Sequence, residues 1–246
     1  MKTIAKAVTI LKLFTKQRPS LGVIEISRAT NIDKAIVHRI LRTFVDEELV
    51  VQNSENKKYS LGPAVLRLAK NHLTQSQPVE VARPFLVELW EKTDETVHFC
   101  IRQGTSLLLN LVLESQQAVR VASHLGAQTP LYCTAGGKVF LAFSNGDLIE
   151  RVVKEGLKKY TPNTITDEAA LVKETKQIRK KGYGLGLEEY GVGFCSTAAP
   201  IFDAEQNCVA AVSLAVPISR ASKKRLGEIS EVLVKTCNSI SINMAP

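Results

Sequence analysis

The sequence contains no Cys-x-x-Cys pair and no long hydrophobic run. Its five cysteines are scattered along the chain: Cys100, Cys133, Cys195, Cys208 and Cys237. An odd, dispersed set argues against a disulfide framework and against a zinc site, and is typical of a reducing cytoplasm. No stretch reaches the roughly 18 consecutive apolar residues that a membrane span requires, and the N-terminus lacks the apolar block of a secretory signal. We therefore expect a cytoplasmic protein without metal, other cofactor or membrane partner.

Acidic residues are scarce in the first third of the chain. Up to Gln77 there are 13 Lys and Arg against 6 Asp and Glu, whereas the remainder holds 19 against 18. Nearly all of the net charge of +8 therefore lies in one segment. A basic segment on a neutral body favours a polyanionic partner, most simply nucleic acid. A solvated basic face without a partner is the alternative.

The basic segment has the pattern of a winged helix-turn-helix. Apolar spacing predicts helices over 3–16 and 23–29, and a third helix that begins after Asp33, whose carboxylate can cap it. Two short strand-like runs, 49–52 and 58–61, flank a polar turn and predict a hairpin that would form the wing. The third helix has an apolar face and a basic face, as a helix that enters the major groove requires. The predicted DNA-binding residues are Lys34, Ala35, His38, Arg39, Arg42, Lys57 and Lys58.

The chain is predicted to have two domains. The winged helix-turn-helix occupies 1–62, a linker helix and hinge follow over 63–78, and a larger domain occupies 79–246. In that domain we predict helices over 80–93, 134–143, 167–181 and 223–240, and strands over 96–102, 107–113, 119–122, 183–188, 196–202 and 208–216. Such a mixture indicates an α+β domain with a mainly antiparallel sheet.

The segment Ile32-Asp33-Lys34-Ala35-Ile36-Val37-His38-Arg39-Ile40-Leu41 resembles the recognition helix of the isocitrate-lyase-regulator (IclR) family of transcription regulators. The wing that ends in Tyr59-Ser60-Leu61-Gly62 is similar too, as are 126–138, 188–193 and 198–203 farther along. Members usually carry small hydroxyl residues where this chain has Ala35 and Ile36, which affects the operator sequence. The resemblance implies a GAF-like effector domain, a homodimer formed through the DNA-binding domains, and in some members a dimer of dimers. A two-fold dimer would bind a palindromic double-stranded operator.

The resemblance also implies an effector pocket at Ala135, Gly136, Gly186, Ser196, Ser213 and Ala215. Members that bind small keto acids tend to have an acidic residue at position 186, Cys at 196 and Ser at 215, so we expect a roomier, less polar pocket here. Ala135 and Gly136 open a predicted helix, whose free N–H groups suit a carboxylate. Glycines that merely allow close packing of helix on sheet are the alternative. We expect an organic acid with an apolar, even aromatic, body.

A cysteine-dependent hydrolase or a redox sensor, fused to the DNA-binding domain, is the alternative function. His98 and Cys100 are two apart on a predicted strand and so share a face, where a Cys–His pair could generate a thiolate. No third orienting group and no resolving cysteine accompany them, so we predict no catalytic residues and no enzyme. Glu188 and Glu189 are predicted to be neighbours on a strand that point to opposite faces. We expect both to be solvated charges.

Overall fold

Two units make up the chain, residues 1–75 and 76–246. The structure is a computed structural model that describes residues 3–15, 17–75, 77–144 and 146–244. The predicted linker helix and hinge, 63–78, spans the junction of the two units; Ser76 within it lies outside the described residues.

The first unit is a winged helix-turn-helix. Its helices are α1 (Thr3–Leu11), α2 (Val23–Thr30), α3 (Lys34–Asp46) and α4 (Pro63–Gln75), and its strands are β1 (Ser20–Leu21), β2 (Val50–Gln52) and β3 (Tyr59–Leu61). The strands form an antiparallel sheet in the order β1-β3-β2. The predicted cap of α3 is confirmed, because the Asp33 carboxylate accepts a hydrogen bond of 2.8 Å from the Ala35 N–H.

The prediction that α1 continues to Lys16 was wrong. The helix ends at Leu11, and Lys16 itself lies outside the described residues. The apolar spacing misled because Phe14 still packs in the same core after the backbone has left the helix. Ile4 and Val8, which the spacing directs inward, are 79% and 45% exposed. The buried residue of α1 is instead Ile10.

The second unit has three layers, a sheet with helices on both of its faces. Its helices are α5 (Gln77–Thr93), α6 (Ala135–Phe143), α7 (Leu148–Glu155), α8 (Glu168–Lys181) and α9 (Lys223–Met244). Its strands are β4 (Thr96–Gln103), β5 (Ser106–Leu113), β6 (Gln128–Pro130), β7 (Gly184–Leu187), β8 (Phe194–Phe202) and β9 (Cys208–Pro217). The sheet is antiparallel, in the order β6-β5-β4-β9-β8-β7. This confirms the predicted α+β class.

Each face of the sheet has its own core. Helices α5 and α9 pack on one face, through residues such as Leu86 and Leu233. Helices α6, α7 and α8 pack on the other, through residues such as Val139 and Leu171. The small side chains Ala198 and Ala211 lie on this second face. They allow α6 to approach the strands closely.

The predicted strand over 119–122 was wrong, and β6 and α7 were not predicted. Residues 114–127 have no regular secondary structure. Val119 and Val121 alternate with polar residues as in a strand, but side chains rather than a neighbouring strand bind their carbonyl groups. The Val121 carbonyl accepts from Thr96 Oγ1 at 3.0 Å, and the Val119 carbonyl accepts from the Arg220 guanidinium at 2.9 Å.

Candidate functional sites: a DNA-binding surface and a ligand cavity

Helix α3 separates its apolar and basic residues onto opposite faces. Val37, Ile40, Leu41 and Phe44 are buried in the core of the first unit. The predicted contact residues on this helix are all exposed: Lys34, Ala35, His38, Arg39 and Arg42. Within the part of the chain that the structure describes, no ion pair or side-chain hydrogen bond engages the four basic or titratable members of this set. Their donor groups are therefore free to bind an external acceptor.

The wing presents its two lysines differently. The turn between β2 and β3 is held by the Asn53 side chain, which accepts from the N–H groups of Glu55 and Asn56 at 2.9 and 3.1 Å. Lys57 is exposed at the end of this turn. The Lys58 ammonium lies 3.1 Å from Glu25 on α2, so it already has a carboxylate partner that a phosphate would have to displace.

A cavity of about 200 Å³ lies in the second unit, against the sheet face that α6 covers. The strand register brings the predicted pocket residues together, because Ser196 pairs with Ala215 across β8 and β9, and His98 pairs with Ser213 across β4 and β9. Ser196 and Ser213 therefore lie on the same face of the sheet. The lining residues are His98, Leu107, Leu109, Val121, Ala122, Ser123, Thr129, Thr134, Ala135, Gly136, Tyr190, Phe194, Ser196, Ser213 and Ala215.

The start of α6 forms one end of the cavity. Thr134 caps the helix by accepting from the Gly137 N–H at 3.2 Å. The N–H groups of Ala135 and Gly136 have no acceptor among the described residues, and both residues line the cavity. A Cβ at Gly137 would lie 2.3 Å from the Leu131 carbonyl oxygen, so this glycine allows the turn before α6 to approach the helix closely. The helix therefore offers two free donors and a positive dipole end to an anion.

Gly186 lies behind the cavity wall and is not itself part of the lining. A Cβ on this residue would come within 2.5 Å of Ser196 Oγ and 3.3 Å of the Ala135 nitrogen. The Ser196 hydroxyl therefore occupies the space that an acidic side chain at position 186 would need. The Ala135 nitrogen, at the free end of α6, borders the same space.

The Cys–His pair of the alternative function does not have the electrostatics of a nucleophile. His98 Nδ1 and Cys100 Sγ lie 3.2 and 3.9 Å from Ser213 Oγ. Burial raises the pKa of the Cys100 thiol to about 12 and lowers the pKa of His98 to about 4. Both groups are therefore neutral at pH 7, whereas an activated cysteine needs a thiolate. Burial likewise raises the pKa of Cys133 to about 12.

A buried ion pair connects α6 to the segment that follows β7. Lys138 on α6 is 0% exposed, and its ammonium lies 2.6 Å from Glu189 and 3.1 Å from Glu174 on α8. The expectation that Glu189 is solvated was wrong: it is 6% exposed and follows β7 in an irregular segment, and burial raises the pKa of its carboxyl against the opposing effect of Lys138. The pair ties α6 to the segment that carries Tyr190 into the cavity wall.

Ten of the lining residues were absent from the predicted pocket: His98, Leu107, Leu109, Val121, Ala122, Ser123, Thr129, Thr134, Tyr190 and Phe194. His98 was considered only as a partner for a cysteine, and Val121 and Ala122 were assigned to a strand. The apolar alternation of β4 placed His98 on the α6 face, so its position was available from the sequence. No sequence pattern indicated that residues 121–123 would line the cavity.

None of the helices among the described residues is both long enough and apolar enough to cross a membrane. In the same residues, no cluster of three or more His, Cys, Asp or Glu side chains is arranged to hold a metal ion.

The chain matches two family models. Residues 3–54 match the IclR helix-turn-helix domain, and residues 71–242 match the C-terminal domain of the bacterial transcriptional regulator IclR. The chain is 31% identical to the transcriptional regulator BhcR of Paracoccus denitrificans, over all of this chain and 88% of the relative. It is 29% identical to the transcriptional repressor AllR of Escherichia coli, over 98% of this chain and 89% of the relative.

Solved structures have the same fold. An IclR homologue from Microbacterium hydrocarbonoxydans, solved in complex with 4-hydroxybenzoate, superposes with a TM-score of 0.87 over 99% of both chains at 21% identity. The winged helix-turn-helix, the three-layered second unit and the matches over nearly the whole sequence agree. This chain belongs to the IclR family of bacterial transcriptional regulators.

Proposed function

We propose that α3 and the wing bind a palindromic double-stranded operator as a homodimer, and that an organic acid in the cavity of the second unit modulates this binding. The observation that carries the proposal is the exposed face of α3, on which four basic or titratable side chains have no partner in the described part of the chain. The roles differ by residue. Arg39 and Lys34 contact bases or phosphates; Arg42, Lys57 and Lys58 contact chiefly phosphates.

Exposed apolar residues on α1 support the homodimer. The side chains of Ile4 and Val8 are largely exposed to solvent, and Ala5 and Thr9 beside them are exposed too. A second copy of this helix would cover the stripe. A two-fold dimer then presents two copies of α3 to half-sites about one helical turn apart. A dimer of dimers would need a further interface.

The two ends of the cavity support an organic acid as the effector. Free N–H groups at Ala135 and Gly136, together with the hydroxyls of Ser196 and Ser213, suit a carboxylate. Leu107, Leu109 and Phe194 suit an apolar body. A relative of the same fold binds 4-hydroxybenzoate, which combines the two chemistries.

We also infer that the protein acts in the cytoplasm and is not an enzyme. The relatives are named as transcription regulators, and the neutral states of Cys100 and His98 do not suit nucleophilic chemistry. Hydrolysis of simple esters by the pure protein, lost in Cys100→Ala, would contradict this inference.

The DNA proposal is tested with a duplex that the protein itself selects from a random library. Arg39→Ala should weaken binding to the selected duplex by about tenfold or more, as expected for the loss of a base-reading arginine. Lys173→Ala, which removes an equal charge from an exposed position on α8, is the matched control and should bind like wild type. An Arg39→Ala protein that binds the selected duplex like wild type in an electrophoretic shift assay would show that α3 is not the reading helix.

A further inference from the structure

His98 lines the cavity and has a hydrogen-bonding atom without a partner among the described residues. The side chain is 6% exposed and lines the cavity wall. Its Nδ1 lies 3.2 Å from Ser213 Oγ, whereas its Nε2 is buried without a partner among the described residues. A buried polar atom without a hydrogen bond is costly, so a ligand that supplies the missing partner is favoured over one that does not.

The charge of His98 limits what that partner can be. Because burial lowers the pKa of His98 to about 4, the imidazole is neutral at pH 7 and has one donor and one acceptor nitrogen. A neutral ring is a poor counter-ion for a carboxylate. The free N–H groups of α6, with their positive dipole end, are the better site for the negative charge.

The sheet register separates these two sites. Ser196, which borders Gly186 together with the Ala135 nitrogen, is on β8, and His98 is on β4. Strand β9 lies between them. Adjacent strands are about 4.8 Å apart, so the backbones of Ser196 and His98 are separated by roughly 10 Å across the sheet. Because His98 Nδ1 faces Ser213, Nε2 on the other side of the ring points away from a carboxylate held by α6, Ser196 and Ser213. An oxygen several bonds from the carboxylate is therefore the one placed to reach Nε2.

We propose that His98 is a specificity-determining residue whose Nε2 hydrogen-bonds an uncharged oxygen on the effector, remote from the effector's carboxylate. The ligand class is a carboxylic acid with an apolar middle and a hydroxyl or carbonyl group at its far end. This inference rests on the proposed binding of an organic acid in the cavity, and it adds which second group the acid carries and which residue recognises it.

The test compares matched acids by calorimetric titration: benzoate with 2- and 4-hydroxybenzoate, and hexanoate with 2- and 6-hydroxyhexanoate. Wild type should bind the remotely hydroxylated member of at least one series about tenfold more tightly than its hydrocarbon match, and the 2-hydroxy member should gain little. His98→Asn has an amide that reaches only as far as Nδ1, so this preference should fall to about one. His98→Gln reaches as far as Nε2 and should restore it. Cys100→Ala, a neighbour on the same strand that also faces Ser213 but does not line the cavity, is the control and should keep the preference.

Nitrogen-15 spectra of the wild-type histidines give a second readout that does not depend on the variants folding. The chain has only four histidines. A bound remotely hydroxylated acid should shift the His98 ring resonances and leave those of the exposed His38 and His124 in place. Tight binding without a remote-hydroxyl preference, or a His98 resonance that does not move, would overturn this inference and leave the organic-acid proposal standing. Failure of every acid to bind would overturn both.

Discussion

The proposed DNA-binding surface and the proposed ligand cavity are built in opposite ways. The surface takes its residues from two short stretches, 34–42 and 57–58, and nearly all of them are exposed. The cavity takes its residues from strands β4, β5, β6, β8 and β9, the irregular 121–123 segment, the start of α6 and the segment after β7, and several of them are buried. A side chain on the surface has little effect on folding, whereas a polar side chain around the cavity is also part of the core. The same substitution should therefore have very different effects in the two units.

The largest difference is expected in how much stability each unit loses when its ion pair is broken. Lys138→Met leaves Glu189 buried without its partner, which should lower the free energy of unfolding of the second unit by about 3–5 kcal/mol. The only tryptophan, Trp90, lies in α5, so its fluorescence during urea unfolding reports on this unit. Adding Glu189→Gln should recover part of the loss. A single variant within 1 kcal/mol of wild type would mean that the pair is not held as described.

The stability of the second unit should also depend on pH through His98. Burial lowers the pKa of His98 from 6.5 to about 4, so between these values the unfolded chain binds a proton that the folded chain does not. Stability is therefore full above pH 6.5 and falls as the pH decreases towards 4, by roughly 3 kcal/mol from this group. Urea unfolding at a series of pH values should show this slope in wild type and lose it in His98→Asn. The exposed His124 provides the control, and His124→Ala should keep the slope.

Salt dependence should distinguish the two kinds of DNA contact. Loss of one phosphate contact lowers the slope of log affinity against log salt by about 0.9. Lys57→Ala should reduce this slope for selected and random duplexes alike, because a phosphate contact is independent of sequence. Arg39→Ala should instead reduce the difference in affinity between the two duplexes. Equal effects of both variants on selected and random DNA would remove the distinction.

The smallest effect is expected for the exposed ion pair of the first unit. Lys58 and Glu25 are 40% and 47% exposed, and such pairs contribute about 0–1 kcal/mol. Lys58→Met should therefore change the stability of this unit by less than 1 kcal/mol, measured by circular dichroism during urea unfolding. A loss comparable to that of Lys138→Met would break the contrast between the units.

The same contrast, between a surface built from short stretches and a cavity built from distant elements, explains which features the sequence predicted. The Asp33 cap and the two faces of α3 depend on neighbours within one turn of helix, so the sequence was sufficient for both. The burial of Glu189 depends on Lys138, 51 positions away. The 119–122 segment alternates like a strand, but whether it pairs depends on distant residues such as Arg220. Local patterns therefore predicted the winged helix-turn-helix and most of the sheet, while the polar interior of the cavity required the fold.

We propose that a ligand in the cavity of the second unit controls DNA binding by the first. The direct measurement is fluorescence anisotropy of the selected duplex with wild type and Ser213→Ala, titrated with the tightest-binding acid of the panel. Without acid, the two proteins should bind DNA equally. The acid concentration for half of its effect should be about ten- to a hundredfold higher for Ser213→Ala, because one hydrogen bond to the ligand carboxylate is lost. The same half-effect concentration in both proteins would contradict the account.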